Sequence, residues 1–272
     1  MKIIKPSYEI MDDISPFGIH ELEKIEKCAR VCYKSEDKIL DQAESAKKLI
    51  KNLIKNGHEA MLEHSCLSVK FICDRGVSHE LVRHRMASFA QESTRWCNYS
   101  QDKFGNEITV IEPLVFEDMD DAWKEDVSQS LYCVISGCTD KEMLKDYVDA
   151  PTKYQLYAQW YVSLFEAENS YLIMLDKGLS PQMARSVLPN SLKTEIVVTA
   201  NYREWRHIFQ LRTAKDAHPE MRRLMIPLLK DLKERIPVIF DDIEVEEIVN
   251  YNLDVDRYGF DKNILKLIKT YD

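Results

Sequence analysis

A short run of cationic and hydroxyl side chains is the most chemically informative part of this sequence. Residues 83–96 contain three arginines, one histidine and two serines, in a chain with a formal net charge of −9. Guanidinium groups bind phosphate and carboxylate in a bidentate manner, so the run predicts a pocket for a small anionic ligand. The structural alternative is a solvated, basic end of a helix, which is the usual state of an arbitrary run of this kind.

The segment before the basic run positions it. Residues 67–73 alternate apolar and polar side chains, as a half-buried strand does. Asp74-Arg75-Gly76 then predicts a turn, and Ser78 is expected to cap the following helix, with Glu80 in its first turn. The arginines therefore fall near the opposite end of that helix, where it gives way to a loop.

Further helices are predicted on both sides of the basic run. Residues 41–56 predict an amphipathic helix, because Asp41 and Glu44 have capping-box spacing and a glycine follows. Residues 151–175 predict a long helix that stops at the next glycine. A short helix with proline at its first position then carries Arg185.

A strand that leads directly into a helix predicts a second place for polar or phosphate atoms. Residues 193–200 alternate as a strand, and Asn201 with Glu204 forms a capping pattern for the next helix. The free backbone N–H groups at such a helix start bind anions. His207 and Arg212 lie about 140° apart on this helix, so we expect them to address different parts of a site.

Composition favours one cytoplasmic enzyme subunit. With 272 residues, 45% of them apolar, the chain can bury a substantial core. We expect no membrane span, because no stretch approaches about 20 apolar residues, and no signal peptide. Seven cysteines without a C-x-x-C pair suit a reducing compartment. The negative net charge argues against general nucleic-acid binding.

The chain contains no repeat, low-complexity stretch or linker, so we predict a single domain over 1–272. Residues 97–150 are the least informative; they predict a strand near 107–111 and one or two acidic helices. The segment 237–272 has no assigned role.

Two common functional motifs are weak or missing. His79 and His84 resemble a zinc-protease pair but are five residues apart, which turns them about 140° apart on a helix. We therefore predict no metal site. The chain also lacks a P-loop and a G-x-G-x-x-G fingerprint, so any dinucleotide is expected to bind without a Rossmann motif.

The exact spacing of the basic run is similar to the signature of the flavin-dependent thymidylate synthases, R-H-R-x-x-S-x-x-x-x-S-x-R. Every fixed position is matched here. Three more blocks resemble those of the family, in the expected order, over about residues 50–230. They are Gly57-His58-Glu59 with Glu63-His64, the segment 181–189, and Asn201-Tyr202-Arg203-Glu204-Trp205-Arg206-His207 with Leu211-Arg212.

The resemblance implies a fold, a reaction and an assembly. We expect an α+β subunit, with an antiparallel-rich mixed sheet flanked by helices, that forms a homotetramer with sites between subunits. The implied reaction is the reductive methylation of dUMP to dTMP, in which NADPH reduces FAD and 5,10-methylenetetrahydrofolate donates carbon. Unrelated, folate-only thymidylate synthases use a cysteine nucleophile; here Cys97 is expected to be a small buried side chain.

The resemblance also assigns residues to ligands. The FAD set is Arg83, His84, Arg85, Gln91, Asn201, Tyr202, Arg203 and His207. The dUMP set is Glu80, Leu81, Val82, Arg83, Gln91, Glu92, Ser93, Thr94, Arg95, Arg185 and Arg212. Arg212 is expected to be catalytic, because a cation beside the uracil ring stabilises negative charge that develops there. His58 is placed near folate or flavin, with a plain loop histidine as the alternative.

A few positions depart from commoner versions of the pattern. Positions 90 and 91 are Ala and Gln, where some members have Asn and Glu. Glu80 replaces a Gln, and Gln182 replaces a Glu. These departures affect hydrogen-bond assignments and leave the implied reaction unchanged. Two rival classes stay open: a nonenzymatic nucleotide- or phosphate-binding module without flavin, and a zinc hydrolase built around His79 and His84.

Overall fold

A four-stranded antiparallel sheet carries the segments singled out above. The computed structural model describes residues 1–126, 128 and 152–248. The sheet order is β2-β3-β6-β4, in which the strands are Ser7–Ile10 (β2), Cys66–Asp74 (β3), Lys193–Asn201 (β6) and Ala87–Gln91 (β4). Both β3 and β4 run antiparallel to β6. The strands predicted at 67–73 and 193–200 are confirmed, whereas β4 lies where the sequence predicted a loop.

Helices and a small parallel pair of strands complete the described secondary structure. The pair joins β1 (Lys2–Ile4) to β5 (Thr109–Ile111), which confirms the strand predicted near 107–111. The helices are Ile19–Val31 (α1), Glu44–Lys55 (α2), Arg75–Leu81 (α3), Thr152–Asp176 (α4), Pro181–Ala184 (α5), Tyr202–Arg212 (α6) and Pro219–Arg235 (α7). This mixed architecture, an antiparallel sheet flanked by helices, confirms the predicted fold class.

One face of the sheet forms the main core. Alternate residues of β3 and β6, such as Phe71 and Val198, are almost completely buried. The ring of Trp205 on α6 packs near Phe71, and its indole N–H donates to the carbonyl of Leu67 at 2.9 Å. Burial of such a side chain contributes roughly 2–3 kcal/mol. The core thus fixes the angle at which α6 leaves the sheet.

The start of α3 differs from the prediction. Asp74 caps the helix by accepting a hydrogen bond from the Val77 N–H at 2.7 Å, so no turn separates β3 from α3. Ser78 lies inside the helix and donates to the carbonyl of Arg75. Glu80 consequently belongs to the last turn. The prediction was wrong because Asp74 offers an acceptor earlier in the chain than Ser78 does.

The start of α2 also differs from the prediction, while the predicted ends of α2 and α4 are confirmed. Asp41 lies in a preceding 3₁₀ turn, and Ala43, in the left-handed region, stands at the cap with no side-chain hydrogen bond. The predicted capping box is therefore wrong. Gly57 and Gly178 have φ values of +70° and +93°, which explains why α2 and α4 end there.

The described residues form two compact units. The first spans 1–114 and 170–248 and contains every predicted site residue; the second contains 115–126, 128 and 152–169 among its described residues. An aromatic cluster that includes Phe116 and Tyr157 fills the second unit. The single domain predicted over 1–272 stays a prediction.

Two other expectations are only partly covered. In the acidic stretch, residues 121–126 are helical, as predicted, and 129–151 lie outside the described residues, as do 249–272. Among the described helices, none is long and apolar enough to span a membrane.

The cap of α3 can be tested by its effect on stability. Burial raises the pKa of Asp74, and the backbone hydrogen bond from Val77 acts against this shift by stabilising the carboxylate. We expect Asp74→Ala to lower the free energy of unfolding by about 1 kcal/mol in urea denaturation. Asp74→Asn keeps an acceptor oxygen and is expected to lose less. Equal losses in the two variants would contradict the assigned cap.

Candidate functional site

The Arg-His-Arg motif forms the turn between α3 and β4. Arg83 and Arg85 are exposed, whereas His84 between them is only 5% exposed. A buried imidazole therefore lies between two guanidinium groups that face solvent. The arginines are available to an anion, and the histidine is held by the protein.

Arg212, the last residue of α6, is bound tightly to this turn. Its Nη1 atom donates to a carboxylate oxygen of Glu80 at 2.6 Å, and its Nη2 atom donates to the Glu80 carbonyl at 3.2 Å. Its Nε atom donates to Nε2 of His84 at 3.0 Å. A guanidinium group has five N–H donors, so two remain beyond these three contacts in the described part of the chain. Arg212 is thus oriented before any ligand binds.

His84 is a neutral imidazole in this setting. Burial lowers its pKa to about 4, and the positive charges of Arg212 and His207 act in the same direction. Since Nε2 accepts from Arg212, the ring proton lies on Nδ1. That atom faces a carboxylate oxygen of Glu204 at 3.6 Å. His207 and Arg212, expected to serve different parts of a site, both lie beside His84.

A polar pocket of about 350 Å³ lies at the start of α6. Three residues of the predicted FAD set line it: Asn201, Arg203 and His207. The lining residues outside the predicted sets are Glu59, Glu63, Met86, Glu204 and Gln210. Most of these stood within the blocks that carried the family resemblance, but their types gave no separate signal for a ligand.

The pocket wall is organised by hydrogen bonds around the first turn of α6. The Asn201 side chain accepts from the Glu204 N–H at 2.8 Å, which confirms the predicted cap. Arg203 pairs with Glu63 at 2.6 Å, and both side chains are about half exposed. Tyr202 differs from its neighbours: its side chain is in the core, against Phe240, and its N–H donates to the Ser65 carbonyl. Its side chain therefore does not face the pocket.

Arg206 is a structural residue that sequence reasoning did not single out. It is 2% exposed, and its guanidinium group donates to both carboxylate oxygens of Asp242 at 2.6 and 2.8 Å. It also donates to Glu59 at 3.2 Å. Arg206 thereby ties the pocket-lining Glu59 to the segment that follows α7. An arginine inside a motif block carries no signal that separates this role from ligand binding.

A second polar cluster lies beyond the other end of β4. Arg95 donates to the Gln182 side chain at 2.8 Å, and Arg185 donates to the hydroxyl of Thr94 at 3.3 Å. Both arginines are exposed. The predicted short helix is present with proline at its first position, but it ends at Ala184, so Arg185 lies in the 3₁₀ turn that follows and not on the helix, where the sequence predicted it.

Two members of the predicted dUMP set use their side chains within the chain. The Glu92 carboxylate accepts from the Tyr99 hydroxyl and from Lys193, both at 2.9 Å. The Gln91 amide donates to the hydroxyls of Ser78 and Thr194 at 2.9 and 3.2 Å. Both side chains hold the strand ends together, which sequence spacing did not indicate.

The predicted dUMP set is divided between the two ends of β4. Ala87 is paired with Ala200, and Gln91 with Ile196. The four residue steps of β4, at about 3.4 Å each, make the strand about 14 Å long, with the Arg-His-Arg turn before its first residue and residues 92–95 after its last. Within one chain, the first cluster is the Arg-His-Arg turn with Glu80 and Arg212, whereas Arg95 and Arg185 belong to the second.

The remaining predicted residues lie in the core, beside the turn, or in loops near the two clusters. Leu81 is 1% exposed and belongs to the core, while Val82 is 38% exposed beside the turn. His58 is exposed at the start of the 3₁₀ helix Glu59–His64, next to a lining residue of the pocket. Ser93 accepts backbone hydrogen bonds from Trp96 and Cys97 in the loop after β4.

One group of side chains in the described residues has the composition of a metal site. The ligand atoms of His84, Glu204 and His207 lie within 4.8 Å of one another. His79, the other member of the zinc alternative, is exposed and outside this group. The absence of a metal stays a prediction.

Exposed arginines thus lie at both ends of one strand, and a polar pocket lies at the start of a helix. Residues 19–238 match the family model described as thymidylate synthase complementing protein. The chain therefore belongs to that family of enzymes.

Relatives and solved structures agree with this assignment. The chain is 32% identical over 227 residues to a flavin-dependent thymidylate synthase of Corynebacterium aurimucosum, covering 83% of this chain and 81% of the relative. It is 30% identical over 246 residues to one of Corynebacterium efficiens, covering 90% and 88%. A crystal structure of the UMP/dUMP methylase PolB from Streptomyces cacaoi, bound with 5-Br dUMP, aligns with a TM-score of 0.64 at 20% identity. It covers 88% of this chain and 95% of the other, so the two share a fold.

The lowered pKa of His84 predicts a pH dependence of stability. Between pH 6.5, the ordinary pKa, and about 4, the unfolded chain binds a proton that the folded protein does not. The contribution of neutral His84 to the free energy of unfolding is fully present above this window. It declines as the pH falls through the window, by on the order of 3 kcal/mol. We expect urea denaturation to show a smaller loss over this window for His84→Gln than for the wild type. Parallel profiles would contradict the assignment.

Proposed function

We propose that the protein is a flavin-dependent thymidylate synthase that converts dUMP to dTMP. In this proposal 5,10-methylenetetrahydrofolate donates the carbon unit, NADPH reduces FAD, and the enzyme acts in the cytoplasm. The observation that carries the proposal is the convergence of the Arg-His-Arg turn with Asn201, Arg203 and His207 around one polar region. The curated relatives, named flavin-dependent thymidylate synthases, support it.

The pocket at the start of α6 has the donors that FAD requires. Arg203 lines the pocket, and the exposed Arg83 and Arg85 lie in the turn just before the lining residue Met86, so these three guanidinium groups can pair with a pyrophosphate. Two carboxylates of the wall have cationic partners, because Glu63 pairs with Arg203, and Glu59 shares Arg206 with Asp242. When bound and reduced by NADPH, FAD supplies the hydride. The residues present therefore fit this cofactor.

The second cluster is suited to the phosphate of dUMP. Arg95 and Arg185 are exposed, and each is held in place by one hydrogen bond, to Gln182 and Thr94 respectively. Such preorganisation lowers the entropy lost when a phosphate binds. Ser93, in the loop between them and β4, adds a hydroxyl group. We assign the phosphate and sugar to this cluster.

Arg212 is assigned to the uracil ring. Its guanidinium group is fixed by Glu80 and His84 and keeps two N–H donors for a ligand. A fixed cation at the edge of the pyrimidine stabilises negative charge there and increases electron density at C5, the atom to be methylated. Glu80 reduces the net charge of this region, so the guanidinium acts mainly through its directed hydrogen bonds.

We propose that the two clusters around one dUMP molecule come from different chains. Within one subunit they lie beyond opposite ends of β4, which is about 14 Å long. In a homotetramer, the second cluster of one subunit can face the first cluster of another. The division of the predicted set supports this arrangement.

The simple alternatives make different demands on the protein. A nucleotide-binding module without flavin leaves the pocket at α6 without a function. A cysteine nucleophile is disfavoured, because burial raises the pKa of Cys97 and so reduces its thiolate fraction. A zinc hydrolase needs His79, which lies outside the group formed by His84, Glu204 and His207.

Cofactor content and product formation test the proposed function directly. We expect purified protein to bind FAD, to oxidise NADPH, and to form dTMP from dUMP and 5,10-methylenetetrahydrofolate, as followed by absorbance and chromatography. Cys97→Ala is expected to retain dTMP formation. A folded protein that binds no FAD in either redox state would overturn the proposal, and complete loss of turnover in flavin-loaded Cys97→Ala would favour a cysteine nucleophile.

Sharing of the site between subunits predicts complementation. Arg83→Ala damages the first cluster and Arg185→Ala the second, so each homogeneous variant is expected to be strongly impaired. When the two are dissociated, mixed and reassembled, some hybrid sites receive both native clusters and dTMP formation should recover partly. Native mass spectrometry verifies mixing. No recovery in verified hybrids would place both arginines in the same chain's site.

A further inference from the structure

A continuous chain of polar contacts links the first turn of α6 to its last residue through His84. The Glu204 carboxylate faces Nδ1 of His84 at 3.6 Å, and Nε2 of the same ring accepts from Arg212 at 3.0 Å. Glu204 and Arg212 are eight residues apart, which corresponds to about 12 Å along the helix. The buried ring thus joins two residues of α6 that cannot contact each other directly along the helix.

We propose that Glu204 is a positioning residue for Arg212 and acts through His84, whose ring proton it keeps on Nδ1. This inference rests on the proposed function, in which Arg212 acts on the uracil ring. With the proton on Nδ1, Nε2 is a lone-pair acceptor for the Arg212 Nε–H. With the proton on Nε2, two donors would face each other at 3.0 Å and the contact would be repulsive.

The surroundings of His84 make its tautomer consequential. The ring is 5% exposed, so water cannot replace a lost hydrogen-bonding partner of either ring nitrogen without a rearrangement. The Glu204 side chain is only 12% exposed. Its distance from Nδ1 exceeds that of a full hydrogen bond, so its effect is an electrostatic preference for the N–H that points toward it. A small rotation of either side chain closes the gap.

Glu80 alone leaves Arg212 under-determined. Both contacts to Glu80 use the terminal nitrogens of the guanidinium group, about which the group can still pivot. The contact between Nε and His84 removes that freedom. If the guanidinium group of Arg212 shifts by a few tenths of an ångström, it still binds the substrate, but it stabilises the charge that develops in the transition state less well. Loss of the relay should therefore slow the chemical step more than it weakens binding.

A metal ion at His84, Glu204 and His207 is the competing use of the same side chains. The Nδ1 atom is the histidine nitrogen that faces Glu204, and Nε2 is occupied by Arg212. Metal binding at Nδ1 would force the ring proton onto Nε2, against the Arg212 N–H. The fixed charge of Arg212 would also repel the cation. The geometry therefore favours a hydrogen-bonded relay.

The tautomer can be observed without any turnover. In ¹⁵N-labelled, FAD-loaded protein, two-bond ¹H–¹⁵N spectra distinguish the two neutral forms, and His84→Gln identifies the signals. We expect the Nδ1–H form in the wild type. Glu204→Gln presents either its oxygen or its NH₂ group to the ring, so the Nε2–H form should gain population. Wild-type signals of the Nε2–H form, or an unchanged tautomer in Glu204→Gln, would overturn the inference.

Kinetics separate positioning from a general structural effect. In single-turnover methylation from reduced enzyme at saturating dUMP, we expect Glu204→Gln to be slower by at least about tenfold, with KM for dUMP changed less than about twofold. Glu234→Gln, on the exposed part of α7, removes the same charge and should match the wild type. In a His84→Gln background, whose amide oxygen can accept from Arg212, Glu204→Gln should have little further effect. Additive losses would overturn the relay.

The outcomes distinguish the failures. If the wild type forms no dTMP, the proposed function fails, while the tautomer measurement still decides the relay. If the wild type turns over and Glu204→Gln has an unchanged methylation rate, the relay fails alone. Elemental analysis and a Zn²⁺ titration address the rival: one tightly bound Zn²⁺ per chain that is lost in His207→Asn would overturn the relay in favour of a metal site.

Discussion

The antiparallel pairing of β4 with β6 is the constraint on which the site depends. Because the register joins Ala87 to Ala200, the Arg-His-Arg turn must lie beside the start of α6, where Asn201 caps the helix. The same register carries the other end of the motif toward Glu195, whose carbonyl accepts from the Glu92 N–H at 2.8 Å. One strand pairing thus creates two polar clusters, and it also keeps them apart.

Buried ionic groups give these clusters their orientation. Arg206 is almost fully enclosed, with Asp242 and Glu59 as partners, and its pairing keeps the pKa of Asp242 below its ordinary value. A charge in that position is tolerable because both terminal nitrogens of the guanidinium group have acidic partners, since an unpaired buried guanidinium costs several kcal/mol. The pocket wall and the segment after α7 are consequently coupled. The exposed Arg83 and Arg85, in contrast, have side chains that face solvent and can contact a ligand, while α3 and β4 hold their backbone in place.

Charge patterning along the chain accounts for how an acidic protein can bind anions. The net charge is −9, while Arg83, Arg85 and Arg203 lie near the start of one helix. Carboxylates of the pocket are partly neutralised by intramolecular pairs, so the local field differs from the global one. The negative net charge argues against a nucleic acid, and this local arrangement is consistent with the proposed small phosphorylated ligand.

The sequence alone determined the elements with strong local signals. Alternation predicted β3 and β6, glycine predicted the ends of α2 and α4, and Asn201 predicted the start of α6, because these signals act within a few residues. The motif spacing also identified the family. The tertiary structure decided the rest: β4 is a strand only through its pairing with β6, and Asp74 displaced Ser78 as a cap. Which polar side chains meet at His84, and which of Gln91, Glu92 and Arg206 are used within the protein, depends on contacts between segments far apart in the chain. Such contacts leave no local pattern in the sequence.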